Sequence, residues 1–184
     1  MSSKYKVGED AIAHFVTFSV IGWIDIFSRE CYREIFVQSL KYCQENKGLK
    51  LHAWVIMTNH VHLIISSDTN KLEHIVRDLK KYTSKQIIKA IEENQIESRK
   101  EWMLNIFNFV GSQNNNNKVY QFWKQDYHPI ELDTAEKLSQ RLDYLHNNPV
   151  RSGLVWEAWH YKYSSAIDYN TSEKGLITID HLFP

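Results

Sequence analysis

His60-Val61-His62 is the first pattern in this chain whose residue types could do chemistry. On an extended strand alternate side chains share a face, so both imidazoles point one way while Val61 turns to the opposite side. Two neighbouring imidazoles on an open sheet can hold one divalent cation between them. Two ordinary surface histidines would show the same spacing. The pair therefore needs a further donor and a reactive group from elsewhere in the chain.

A second set lies in the helix expected over 134–148. Leu138, Leu142 and Leu145 fall at i, i+4 and i+7 and define its apolar side. Tyr144 lies about 200° round from Leu142 at roughly 100° per residue, away from that side. It shares a face with Gln140 and Asn148 at four-residue spacing. An amide oxygen one turn from a phenol can complete a metal site beside the two histidines while the phenol reaches the same phosphate. Read alone, the same residues describe an exposed tyrosine near a helix end capped by Asn148. His146 and Asn147 are competing donors next to Asn148, so the third ligand depends on helix register.

The elements that must position these groups follow from periodicity. Dense β-branched and aromatic residues from Ile12 to Val20 suit a buried strand. A helix then runs from an N-cap at Ser28 to Lys47-Gly48. His52–Met57 and His60–Ser66 form a hairpin across Thr58-Asn59. A long helix spans Lys71 to Ile91, and residues 94–118 carry no clear pattern apart from a polar loop tip at Asn114–Asn117. Val119–Trp123 and Tyr127–Leu132 read as strands. Asp133 or Thr134 caps the next helix, which must end near Asn148 because Pro149 disfavours helical backbone before it. The order is that of a ferredoxin-like α/β (α+β) two-layer sandwich: an antiparallel sheet with helices on one face, plus an additional C-terminal helix. Such a fold leaves the other sheet face open to a ligand.

The composition supports one packed domain over 1–184, with a core of about 11–150 and a Trp/Tyr-rich tail, 151–184, folded back on it. With 24% charged residues, 13% aromatics, 3 Pro and 6 Gly, the chain is neither disordered nor fibrous. Cys31 and Cys43 lack metal-ligand spacing and read as free thiols. The one apolar stretch, Ala11–Phe27, is too short and too polar to span a bilayer, so a cytoplasmic protein is expected. Lys and Arg number 22, as do Asp and Glu. That balance argues against a global positive field for nucleic acid. It is unevenly distributed: six basic and two acidic residues lie between Lys71 and Lys89, followed by Glu92, Glu93, Glu97 and Glu101.

Thr58-Asn-His-Val-His-Leu-Ile64, preceded by His52-Ala-Trp-Val-Ile-Met57, pairs with Asp143-Tyr-Leu-His-Asn-Asn-Pro-Val-Arg-Ser-Gly-Leu-Val155. Together they resemble the signature of the HUH single-tyrosine transposases, and within that group the REP-associated tyrosine transposases. The resemblance runs from Phe15 to the tail and is weakest over 92–118. It implies that His60 and His62 bind a divalent metal, that Asn148 supplies the third ligand and that Tyr144 is the nucleophile. Mg²⁺ or Mn²⁺ suits such a site, and zinc shares its donor types. The implied reaction cleaves and rejoins single-stranded or hairpin DNA through a 5′-phosphotyrosine, leaving a free 3′-hydroxyl. A phenol with a pKa near 10 needs a polarised phosphodiester or a nearby base to attack at neutral pH.

Substrate contacts are open in both directions. Arg77, Lys81, Lys85 and Lys89, four apart on one helix face, can neutralise phosphates or form a solvated surface. Trp123, Tyr127 and His128 can stack on unpaired bases or pack in the core. Arg151 can meet a phosphate or close the helix end. The resemblance leaves monomer and homodimer open. A second reading is a sequence-specific DNA-binding protein that keeps the scaffold and binds repeat hairpins without transposition. A third is a metal hydrolase that does not need Tyr144.

Overall fold

The β-branched and aromatic run near the start of the chain forms strand β1 (His14–Ser19), and the two halves of the histidine hairpin form β2 (Leu49–Ile56) and β3 (His60–Ser67). The computed structural model describes residues 12–114, 119–125 and 128–181. Between β1 and β2 lies α1 (Glu30–Lys47), and after β3 comes α2 (Leu72–Glu93). A two-residue strand, β4 (Ile130–Glu131), completes a sheet of order β2-β3-β1-β4 with every described pairing antiparallel. This is the ferredoxin-like arrangement expected from the element order.

Strand alternation sorts the core into two layers. Val16, Phe18, Val61, Leu63 and Ile65 face α1 and α2, where Phe36, Leu40, Ile75, Leu79 and Ile87 meet them. Phe15, Ala53, Val55 and Ile64 face the other way and pack against Leu138 and Leu145. Those leucines belong to α4 (Ala135–His146), which is followed by α5 (Asn148–Arg151). The second sheet face is therefore not open as expected. A helix with its own apolar side covers part of it, because that face also carries large apolar side chains that must leave water.

Local chemistry differs from the sequence expectation at several points. Ser28 does not cap α1: the N-cap is Arg29, and the Ser28 hydroxyl instead donates to Asp25 O. Gly48 ends α1 in left-handed backbone at φ 71, where an added β-carbon would stand 2.0 Å from Thr69 Oγ1. Residues without a clear pattern contain a helix, α3 (Lys100–Ser112). Val119–Trp123 is not a strand: its backbone makes an isolated bridge from Trp123 to Val20, just past β1, and Trp123 packs on Phe18. Of the 127–132 segment, Tyr127 lies outside the described residues, as do Asn115–Asn117 of the polar loop tip. Thr134 caps α4 by accepting from Lys137 N at 3.2 Å, and Pro149 opens α5 rather than merely stopping a helix.

Part of the segment after α5 pairs with the sheet edge. Ile56 N donates to Tyr163 O and Ser165 N to Trp54 O, both at 2.9 Å, so residues 163–165 cover the outer edge of β2. A short helix, α6 (Ala166–Asn170), follows, and the Tyr169 hydroxyl donates to His52 O at 2.7 Å. Among the described residues no helix is long and apolar enough to cross a membrane. Cys31 and Cys43 are free.

Candidate active site

Register decides which side chains meet. His62 pairs with Thr17 and His60 with Ser19 across β1 and β3, so both imidazoles emerge on the sheet face that α4 crosses. Their ring centroids are 4.7 Å apart. Tyr144 comes down from α4 with its ring 5.4 Å from that of His62. Phe15 supports the group from β1, stacked on His62 at 5.2 Å and edge-on to Tyr144 at 6.0 Å. Residues about eighty positions apart thus form one cluster.

Each imidazole is oriented by a neighbour. Asn59 Nδ2 donates to Asp25 Oδ1 at 3.1 Å, which leaves its oxygen to His60 Nδ1 at 2.7 Å. His60 therefore carries its proton on Nδ1 and its lone pair on Nε2. His62 Nδ1 stands 2.7 Å from Thr17 Oγ1, and an Nδ1–H donated to that hydroxyl leaves Nε2 with the lone pair. His62 Nε2 is buried without a hydrogen-bond partner among the described residues. Burial lowers the pKa of His60, and burial, aided by the repulsion a protonated His60 would exert and by the charge of Arg141, takes His62 down to about 3. Both rings are neutral at physiological pH, the form in which imidazole binds metal. An orphaned buried lone pair beside a second oriented imidazole fits a divalent cation.

The competing third donors separate by environment. His146 is buried, with Nε2 at 2.9 Å from Ser165 Oγ and its ring 5.0 Å from Tyr169, so it is held in the core on the tail side. Asn147 donates its side-chain amide to Asp143 O at 2.9 Å and is exposed. Asn148 is half-buried at the start of α5, and its carboxamide has no partner among the described residues. Among the described residues no group of three His, Cys, Asp or Glu side chains is placed to hold a metal ion.

Arg151 is also brought into the cluster, its guanidinium 5.4 Å from the centre of the Tyr144 ring. The other expected substrate contacts are not. Trp123 is a core residue rather than a stacking platform: it is 5% exposed, packs against Phe18, Phe27, Phe36 and Phe122, and donates its indole N–H to Thr83 Oγ1 at 3.1 Å. Arg77, Lys81, Lys85 and Lys89 sit on exposed positions of α2, whose apolar side packs on the sheet face opposite the histidines. Arg77 pairs with Asp78 and Lys89 with Glu93. His128 is exposed.

Several participants were not apparent from the sequence. Arg141, one turn before Tyr144, lies 5.4 Å over the Phe15 ring and lowers the basicity of His62. Its spacing of three from the tyrosine is a signal, but one shared by any surface helix. Thr17 and Asn59 act through the histidines, and only the strand register reveals the first of them.

The model of the IS200-like transposase family matches residues 10–118. The matched region includes the histidine pair and ends before Tyr144. No curated protein matches the sequence. Among solved structures, a REP-associated tyrosine transposase bound to a REP hairpin shares the fold, with a TM-score of 0.61 and 13% identity over 100% of this chain and 94% of that one. A presumed transposase from Deinococcus radiodurans R1 gives 0.45 and 15% identity over 80% of this chain and 94% of that one.

Proposed function

Because this chain belongs to the IS200-like transposase family, we propose that it is a metal-dependent DNA strand transferase acting on single-stranded hairpin elements, with Tyr144 as nucleophile. The observation that carries the reading is the approach of Tyr144 to His62, ring to ring at 5.4 Å, with His60 alongside at 4.7 Å. The hairpin held by the REP-associated transposase of like fold supports a similar substrate here.

In this reading the Tyr144 phenolate oxygen attacks the scissile phosphorus. A 5′-phosphotyrosine ester forms as the bond to the 3′ oxygen breaks. The phenol gives up its proton and the departing 3′ oxygen takes one, so one phosphodiester replaces another and a later 3′-hydroxyl can reverse the step without ATP. A Mg²⁺ or Mn²⁺ ion held by His60, His62 and Asn148 would polarise the phosphate and orient it for displacement. Asn59 and Thr17 keep the two imidazoles oriented with their lone pairs free. Arg151, beside the phenol, is placed to offset the charge gathering on the phosphate. Arg141 and Phe15 wall the site and help keep His62 neutral.

Incubation with Mn²⁺ and a hairpin oligonucleotide from the flank of its own gene gives an SDS-resistant protein–DNA adduct, which Tyr144→Phe abolishes. An adduct undiminished in that variant overturns the assignment.

A further inference from the structure

Trp23 ends a helical turn, Ile21–Trp23, that follows β1. Its φ is 56, and among the described residues it is the one non-glycine residue in left-handed backbone. That conformation costs any residue with a β-carbon and is free to glycine. Burial of a large side chain would ordinarily offset such strain. Here the ring is 55% exposed. A strained and solvent-facing indole is poorly explained by packing and points to use of its surface.

The turn is tied to the active site. Val20 N donates to Asn59 O at 2.9 Å, and Asn59 Nδ2 reaches Trp23 O at 3.4 Å, so the asparagine that orients His60 also holds this turn. The indole stands edge-on to the His60 ring with centroids 6.1 Å apart. Lys124, whose backbone N donates to Ser19 O at 2.8 Å, places its ammonium 4.0 Å over the indole centre. An exposed aromatic face and a flexible cation thus sit together at the rim of the histidine pair.

We propose that Trp23 and Lys124 form a nucleotide subsite, in which the indole stacks on an unpaired base next to the scissile phosphate and the ammonium meets a backbone phosphate. The inference rests on the strand-transferase reading for its substrate and adds the element that discriminates unpaired bases from bare backbone. Stacking on an aromatic ring is tolerant of sequence, and the lysine contributes a salt-sensitive contact. The arrangement also supplies locally what a chain of zero net charge lacks globally.

The test compares an oligothymidylate of about a dozen nucleotides with an abasic strand of equal length and charge, by fluorescence anisotropy without cleavage. Wild type binds the oligothymidylate more tightly. Trp23→Gly removes the ring and relieves the backbone, so oligothymidylate affinity falls about tenfold toward the abasic value while Tm holds or rises. Trp23→Phe recovers part of the loss, and Lys124→Ala weakens both probes alike. Equal affinity of Trp23→Gly and wild type for oligothymidylate overturns the proposal, as does failure of wild type to distinguish the probes or a fall in Tm on Trp23→Gly. Failure of the transferase reading shows separately, as loss of the Tyr144-dependent adduct in wild type.

Discussion

The Nδ1 of His62 lies 2.7 Å from the hydroxyl of Thr17, its register partner on the neighbouring strand. The ring is 4% exposed, so water does not replace that contact if it is lost. Thr17→Val keeps the shape and the β-propensity of the position but deprives the imidazole of its orienting partner. Mn²⁺ affinity measured by isothermal titration calorimetry is expected to fall about tenfold or more, with Thr17→Ser recovering it. Unchanged affinity in Thr17→Val would show that Thr17 does not position a metal ligand.

Arg151 lies over the Tyr144 ring at 5.4 Å. As a group that offsets charge on the reacting phosphate, its loss in Arg151→Ala slows adduct formation about a hundredfold in single-turnover reactions with saturating hairpin, and Arg151→Lys restores part of the rate. A loss confined to hairpin affinity, with the single-turnover rate intact, would make it a binding residue only.

How much of this was readable beforehand varies by residue. The histidine hairpin was legible because strand alternation fixes both face and partner. The pairing of Tyr144 with the histidines came through family resemblance rather than from periodicity: the helical wheel set it away from the apolar side, yet α4 rests on the sheet with Leu138 and Leu145 buried and Tyr144 half-buried beside them. Val119–Trp123 looked like a strand because its aromatics are buried, although Phe122 and Trp123 fill the helix-side core and, among the described residues, the segment's pairing is an isolated bridge to Val20. Burial without a ladder leaves the same sequence pattern. Trp23 carried no signal, since left-handed backbone at a non-glycine residue follows from the surrounding contacts.

The same contrast makes Trp123 a stability residue. Its indole is surrounded by four phenylalanines and hydrogen-bonded to Thr83. Trp123→Ala is expected to cost about 3–5 kcal/mol in urea denaturation, from lost burial and a cavity. Trp123→Phe should cost less while leaving the Thr83 hydroxyl without its indole donor. A well-folded Trp123→Ala protein with selectively weakened DNA binding would instead favour the stacking role that the sequence left open beside core packing.

Glu97 stood in the sequence as one of the acids offsetting the basic helix, but its carboxylate is spent on two arginines. Arg29 Nε donates to it at 2.6 Å and Arg99 Nε at 3.0 Å, with the Tyr32 hydroxyl at 3.3 Å, and its side chain is fully buried. The Arg99 hydrogen bond, joined by Arg29, holds its pKa down to about 2 from an ordinary 4.5 against the opposing effect of burial. The unfolded chain therefore binds the proton more readily. Stability from this group is full above pH 4.5 and is lost as pH falls toward 2. Glu97→Gln, which leaves two arginines facing a neutral amide, should lower stability by about 3 kcal/mol at neutral pH. The gap from wild type should narrow markedly at about pH 3, because the wild-type advantage shrinks as the unfolded chain takes up the proton. Chemical denaturation of both proteins at the two pH values decides it: an equal gap at each would mean that the shape of the side chain, not its charge, holds the 94–99 loop to the start of α1.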